Sequence, residues 1–273
     1  MEARVRPLVR SATVNQSRAR ADALWSVVAG SHLLAAAQSS RIACQSVAWE
    51  DQSLPKRRAN QPDEVQLPRL SADLAVVAPE EVGRELKNIS LSGARLAGRG
   101  GPLLVDGARI TRCDLSESRF VRPSVGDAVL FDCNLANARW SEASVTRVSF
   151  ENCQLTGLDV NSSVLTDVSF LRCKLSLSSF RYLARAKIRF ADCELDGADF
   201  QGVDLRPATF ARCVLTGALF HQARADGLDL RGSSITAVQG IDGLRGAVID
   251  HLQLLDIVEG LAAHAGLLVR DSG

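Results

Sequence analysis

Between Ile110 and Phe180 a large apolar residue stands at every fifth position: Ile110, Leu115, Phe120, Val125, Leu130, Leu135, Trp140, Val145, Phe150, Leu155, Val160, Leu165, Phe170, Leu175 and Phe180. The count resumes at Phe190 and runs through Leu195, Phe200, Leu205, Phe210, Leu215 and Phe220 to Leu230 and Ile235. Two positions before most of these sits a small or aliphatic residue, as with Cys193, Ala198 and Val203 in "RFADCELDGADFQGVDL". An α-helix cannot produce this pattern, because five residues turn it by about 500° and the apolar stripe would spiral away. An ordinary strand would alternate every second residue without pause. A short extended segment with two inward side chains, followed by a corner and repeated, fits the count.

A slower period sets the geometry. Cys113, Cys133, Cys153, Cys173, Cys193 and Cys213 recur every twenty residues, as do the leucines from Leu115 to Leu215 and the phenylalanines from Phe150 to Phe210. Like falls on like every four units, which predicts four sides to a coil and coils stacked about 4.8 Å apart. The fold class expected is an all-β solenoid, a quadrilateral β-helix whose faces are ladders of identical side chains. Surface charges follow the same period. Asp127, Arg147, Asp167 and Lys187 form one column of alternating sign, and Arg112, Asp132, Asn152, Arg172, Asp192 and Arg212 nearly form another. Such neighbours pair across adjacent coils, each pair contributing about 0.2–1 kcal/mol.

Outside the array the count is lost. Residues 1–62, with a short helix expected over 19–37, read as a disordered or mis-started extension, since no periodic apolar face is present to fold around. Residues 63–82 read as an N-terminal cap, which a repeat array needs to cover its first unit. The array itself is assigned to 83–240. Within it, "GRGGP" at 98–102 marks a one-residue slip in register and reads as an inserted turn rather than a cofactor loop. Residues 241–273 carry one C-terminal capping α-helix, begun by Asp250 with Gln253 in capping-box spacing and stopped at Gly266. Leu254, Leu255, Val258, Leu261, Ala262 and Ala265 form its apolar stripe, expected to lid the open coil, with a homodimer contact as the alternative.

The chain has 32 Lys+Arg against 31 Asp+Glu, so no global field points to nucleic acid or an anionic membrane, and direct nucleic-acid binding is not expected. No run reaches the roughly 18 apolar residues of a membrane helix; the nearest, 23–37, is broken by Ser26, Ser31 and His32. Seven Cys without a convincing export signal suggest free thiols in a reducing, cytoplasmic setting. Stacked parallel thiols do not converge as metal ligands must, and their separation should exceed the ~3.8 Å Cβ spacing a disulfide prefers. Core packing is therefore the expected role of the cysteine ladder. The four His are scattered, with no nucleophile motif or phosphate loop beside them, so no catalytic residue, metal or cofactor is assigned. Arg185 breaks the pattern. It occupies a large inward position where a lone guanidinium would be costly, so either the coil bulges or Arg185 turns outward.

Units such as "CELDGADF", "CVLTGALF" and "CDLSESRF" resemble the pentapeptide-repeat proteins, whose motif is written A(D/N)LXX. The tail "GLRGAVID…QLLDIVEGLAAHAGLLV" is similar to that of bacterial members, and points to an actinobacterial type. The resemblance implies a right-handed quadrilateral β-helix and a non-catalytic interaction or scaffold protein. Some members bind DNA gyrase as mimics of duplex DNA and protect it from quinolones, so a gyrase or topoisomerase modulator is the alternative. The array departs from a dense negative surface, with 16 acidic and 16 basic residues between Gly101 and Ala237. Its acidic residues cluster only at Asp192, Glu194, Asp196, Asp199 and Asp204, which become the candidate partner-binding residues, together with Arg181 and Arg185 as an anion or acidic-partner patch.

Overall fold

In the computed structural model the described residues are 64–78 and 82–270. The extension expected over 1–62 lies outside them.

Most corners of the array are made the same way. At five-residue intervals one residue takes a left-handed backbone: Asp127, Asp132, Asn137, Glu142, Arg147 and Asn152 have φ between 46° and 58°. Asp, Asn and Gly tolerate this best, and they recur at these positions along the chain. Between corners the chain is extended and its backbone groups bond to the coils above and below. Leu135 N donates to Gln154 O (2.7 Å), and Gln154 N donates back to Cys133 O (2.9 Å).

On one face the extended segments are long enough to form strands: β1 (Ala75–Val77), β2 (Glu85–Ser92), β4 (Leu104–Thr111), β6 (Ser124–Phe131), β7 (Ser144–Glu151), β8 (Val164–Leu171), β9 (Arg185–Ala191) and β10 (Thr209–Ala211). They pair in parallel in the order β1-β2-β4-β6-β7-β8-β9-β10. A second face carries β3 (Gly100–Gly101) on β5 (Arg119–Phe120). Elsewhere the pairing continues as single parallel bridges, such as Asn134↔Gln154↔Lys174↔Glu194. The result is a four-sided parallel β-helix.

The interior is a set of ladders. Phe150, Phe170, Phe190 and Phe210 stack with centroids 4.9–5.1 Å apart, and Phe180, Phe200 and Phe220 stack opposite them at 5.2–5.4 Å. The two ladders meet edge to face at 5.6–6.2 Å, an arrangement aromatic quadrupoles favour. Low total aromatic content thus suffices, because nearly every Phe is spent on the axis.

Two expectations are corrected and one open alternative is decided. The coil does bulge at Arg185, and Arg185 is exposed: it registers with Val164, an outward position, while Ala186 pairs with Leu165 and takes the inward place. One residue is gained before Arg185 and one is lost opposite Asp167, which restores the register at Ile188. A guanidinium escapes burial at the cost of an alanine in a leucine ladder. Secondly, the corner after "GRGG" is one residue short rather than long. Gly101 pairs with Phe120, nineteen residues on, and Leu104 pairs with Ser124, twenty on.

Thirdly, the single C-terminal helix is two short ones, α1 (His251–Asp256) and α2 (Val258–His264), joined at Ile257. The capping box is formed: Asp250 accepts from Leu252 N and Gln253 N, and Gln253 Oε1 accepts from Asp250 N (2.8 Å). The residues that cover the last coil are Gln253 and Ile257, both buried. Gln253 Nε2 donates to Leu230 O and Ser233 O, each at 2.6 Å, which satisfies carbonyls the missing next coil would have paired. The expected apolar stripe is split: Leu255 and Val258 are 60% and 51% exposed, while Leu261 packs against the core.

Candidate functional site

The five acidic residues from Asp192 to Asp204 do not form one patch. A step of five residues moves the chain round one corner, so Glu194, Asp199 and Asp204 lie in three different bridge columns and hence on three faces. Three of the five are also paired. Arg212 donates to Asp192 through Nε (2.7 Å) and Nη2 (2.9 Å), and this bond chiefly holds the Asp192 carboxyl below the usual range. Arg206 does the same for Asp204 from Nε at 2.8 Å. Asp199 lies 3.6 Å from Arg181 Nε and accepts from Gln201 N. The structure therefore brings Arg181 to Asp199, and places the Arg181 guanidinium 5.5 Å from the centroid of the Tyr182 ring. Arg185 stands on a separate, exposed bulge.

The alternating column is realised as ion pairs. Arg147 grips Asp127 through Nε (2.7 Å) and Nη2, which holds the Asp127 carboxyl low, and Lys187 Nζ lies 2.8 Å from Asp167. A feature absent from the sequence reading is tied to the same column. Gln66 N donates to Asp167 Oδ1 (3.2 Å) and Arg69 N to Asp127 Oδ1 (2.9 Å), so a few residues before β1 cross two coils along this wall. No periodic signal marks such a long-range contact.

The six described thiols are free and buried. Cys133 donates to Phe131 O (3.4 Å) and Ile110 O (3.5 Å), and Cys153, Cys173 and Cys193 make the equivalent pair of bonds to their own and the preceding coil. Ser163 and Ser178 donate to the preceding coil in the same way. Cys here is a small apolar side chain with one weak donor, used where a carbonyl needs a partner. A thiolate would lose these donations, and burial opposes the charged form on all six rungs, while bonds from the neighbouring thiols pull Cys153 and Cys193 the other way. Cys133 is pushed up to about 12, and Cys113, Cys173 and Cys213 are raised further by the bond shared with the next thiol and by burial. Among the described residues no group of three or more His, Cys, Asp or Glu is placed to hold a metal ion. Among them, too, no helix is long and apolar enough to cross a membrane.

The exposed apolar area lies elsewhere. Leu252, Leu255, Val258, Leu267, Leu268 and Val269 are each more than half exposed, and all fall within the last nineteen described residues. Of these, Leu255 and Val258 belong to the amphipathic stripe expected from the sequence; Leu252, Leu267, Leu268 and Val269 do not.

Five-residue units, left-handed corners and twenty-residue coils define a parallel β-helix of the repeat-protein class. The family model described as "Pentapeptide repeat region" matches residues 108–180 and 144–220, two overlapping registers of the same array. Residues 108–220 are thus pentapeptide-repeat sequence. Among solved structures it is similar to QnrB1, a plasmid-mediated fluoroquinolone resistance protein, at 20% identity over 72% of this chain and 98% of that one, with a TM-score of 0.39. It is also similar to HetL, a pentapeptide repeat protein involved in heterocyst differentiation regulation from the cyanobacterium Nostoc sp. strain PCC 7120, at 14% identity over 60% and 86%, with a TM-score of 0.29. No curated protein matches the chain.

Proposed function

We propose that this protein is a non-catalytic, cytoplasmic interaction protein that pairs with a second copy of itself through its C-terminal end and offers its walls to a protein partner. The observation that carries the reading is the outward apolar face of α1, α2 and residues 267–269. Gln253 and Ile257 already close the coil from the other side, so the exposed leucines are not needed as a lid. Asp256, Glu259, His251 and Arg270 are interspersed with these residues along the chain and are exposed. A rim bearing both signs suits a self-complementary, two-fold contact. The chemistry elsewhere supports binding over reaction: the thiols are bonded into the core, and the wall carboxylates are held by arginines.

A dimer by sedimentation equilibrium, converted to monomer by Leu252→Asp with Leu255→Asp and with far-UV circular dichroism unchanged, is the expected result. A wild-type protein that is monomeric at 100-fold higher concentration than its cellular level removes the self-association. A DNA-mimicking modulator of gyrase is the reading this geometry supports less, since a mimic needs one continuous acidic face. Inhibition of supercoiling, or protection from a quinolone, at micromolar protein would reverse that order.

A further inference from the structure

The interior ladders are incomplete at the N-terminal end. The ladder of Phe150, Phe170, Phe190 and Phe210 is continued upward by Leu130 and Ile110, and the facing ladder of Trp140 and Phe120 ends in Gly101, which pairs directly with Phe120 but has no side chain. Each replacement removes ring volume from the same end of the axis. What remains is a cavity of about 340 Å³, walled by aliphatic side chains from the first coils and reaching down to Trp140. That is more than twice the ~150 Å³ cavity known to take up benzene, and within the size range of small-molecule sites. It is open at the top: Gly83, Arg84, Arg99 and Pro102 line it and are exposed. Phe120 is 9% exposed whereas Trp140, one coil further in on the same ladder, is 3% exposed.

Among the described residues, the charge lining the mouth has one sign. Arg84 and Arg99 line the cavity, and no acidic side chain does so among the described residues. Arg99 Nη1 donates to Val82 O at 2.7 Å, which fixes its guanidinium at the rim with its other N–H donors uncommitted to that bond. We infer that this end of the β-helix is a binding site for an amphiphile with a linear apolar tail and an anionic head, the class of a medium-chain fatty acid. The tail displaces poorly held water along roughly two coil spacings, about 10 Å. The head lies against the two guanidinium groups. This site is independent of the C-terminal contact.

The test is calorimetric titration of the full chain with decanoate below its micelle concentration, with decyltrimethylammonium as the cationic control. Saturable one-to-one uptake of decanoate, with a negative heat-capacity change and weaker uptake of the cation, is expected. Arg84→Glu should weaken decanoate about three- to fivefold, the range of an exposed ion pair, and favour the cation. Leu130→Phe extends the existing stack above Phe150 and should lose decanoate while raising Tm by a few degrees. Absence of saturable uptake by the wild type, or uptake unchanged by Leu130→Phe, overturns the site. Equal uptake of both probes, unmoved by Arg84→Glu, overturns the anionic head.

Discussion

The bulge at Arg185 can be tested with two substitutions one residue apart. Ala186 is 2% exposed and sits between Leu165 and Leu205 on one inward ladder, whereas Arg185 is exposed. Glu at 186 has no cation within the core to meet it. A carboxyl buried in this way is forced neutral, with its pKa raised from about 4.3 to about 8, so that at ~1.36 kcal/mol per unit the cost is about 4 kcal/mol at pH 7 and about 5 kcal/mol above pH 8. Strain from the extra volume in place of a methyl group adds about 1–3 kcal/mol at every pH. Glu at 185 stays in water and should change stability by no more than about 0.5 kcal/mol. Urea denaturation followed by far-UV circular dichroism compares the two midpoints with wild type. The sign of the pH dependence is a second check. A carboxyl with a raised folded pKa destabilises only where the unfolded chain is ionised, so the Ala186→Glu penalty should grow from pH 4 upward and fall to the strain alone below it. If Arg185→Glu costs more than about 2 kcal/mol while Ala186→Glu is tolerated, the five-residue count runs unbroken and the bulge is wrong.

Gly202 has φ +69° and lies under the Tyr182 ring, where an added Cβ would stand 2.4 Å from Tyr182 Cδ1. Gly202→Ala should therefore cost about 1–2 kcal/mol for the backbone and more for the ring, and Tyr182→Ala should recover only the second part in a double-mutant cycle. Asp127 is held below its ordinary pKa chiefly by Arg147, so its contribution is present above the unfolded value near 3.9 and lost as pH falls through the folded one. Asp127→Asn should lower stability by up to about 1 kcal/mol at pH 7 and by nothing at pH 2, read from paired urea titrations. In a Cys44→Ser background the native protein should show no fast reaction with a disulfide reagent, and six thiols should titrate in denaturant. Stoichiometric reaction in buffer would mean the ladder is open to solvent.

The architecture was legible because a solenoid writes its contact map into its sequence: residues i and i+20 touch, so stacked neighbours appear as a period. Cys193 and Phe190 could be placed on buried ladders from spacing alone, and the structure puts them there. The same period held the answer for the acidic cluster. Asp199 and Asp204 differ by five, hence by one side of the coil, and closeness in sequence hid their separation onto different faces. Arg185 was legible as an anomaly but not as a solution, since a bulge and an outward turn both relieve a buried guanidinium.

Local chemistry repeated at a fixed step was enough to determine the coil, its four inward ladders, the role of the thiols and the capping box at Asp250. Tertiary structure alone decided what happens where the repetition stops. It turned the C-terminal leucines outward because Gln253 could reach the orphaned carbonyls of the last coil from the other side. It laid Gln66 and Arg69 against Asp167 and Asp127, contacts 101 and 58 residues apart that no period announces. And it left the N-terminal mouth unfilled, because Gly101, Ile110 and Leu130 keep the register of the array without the ring volume that closes it further down.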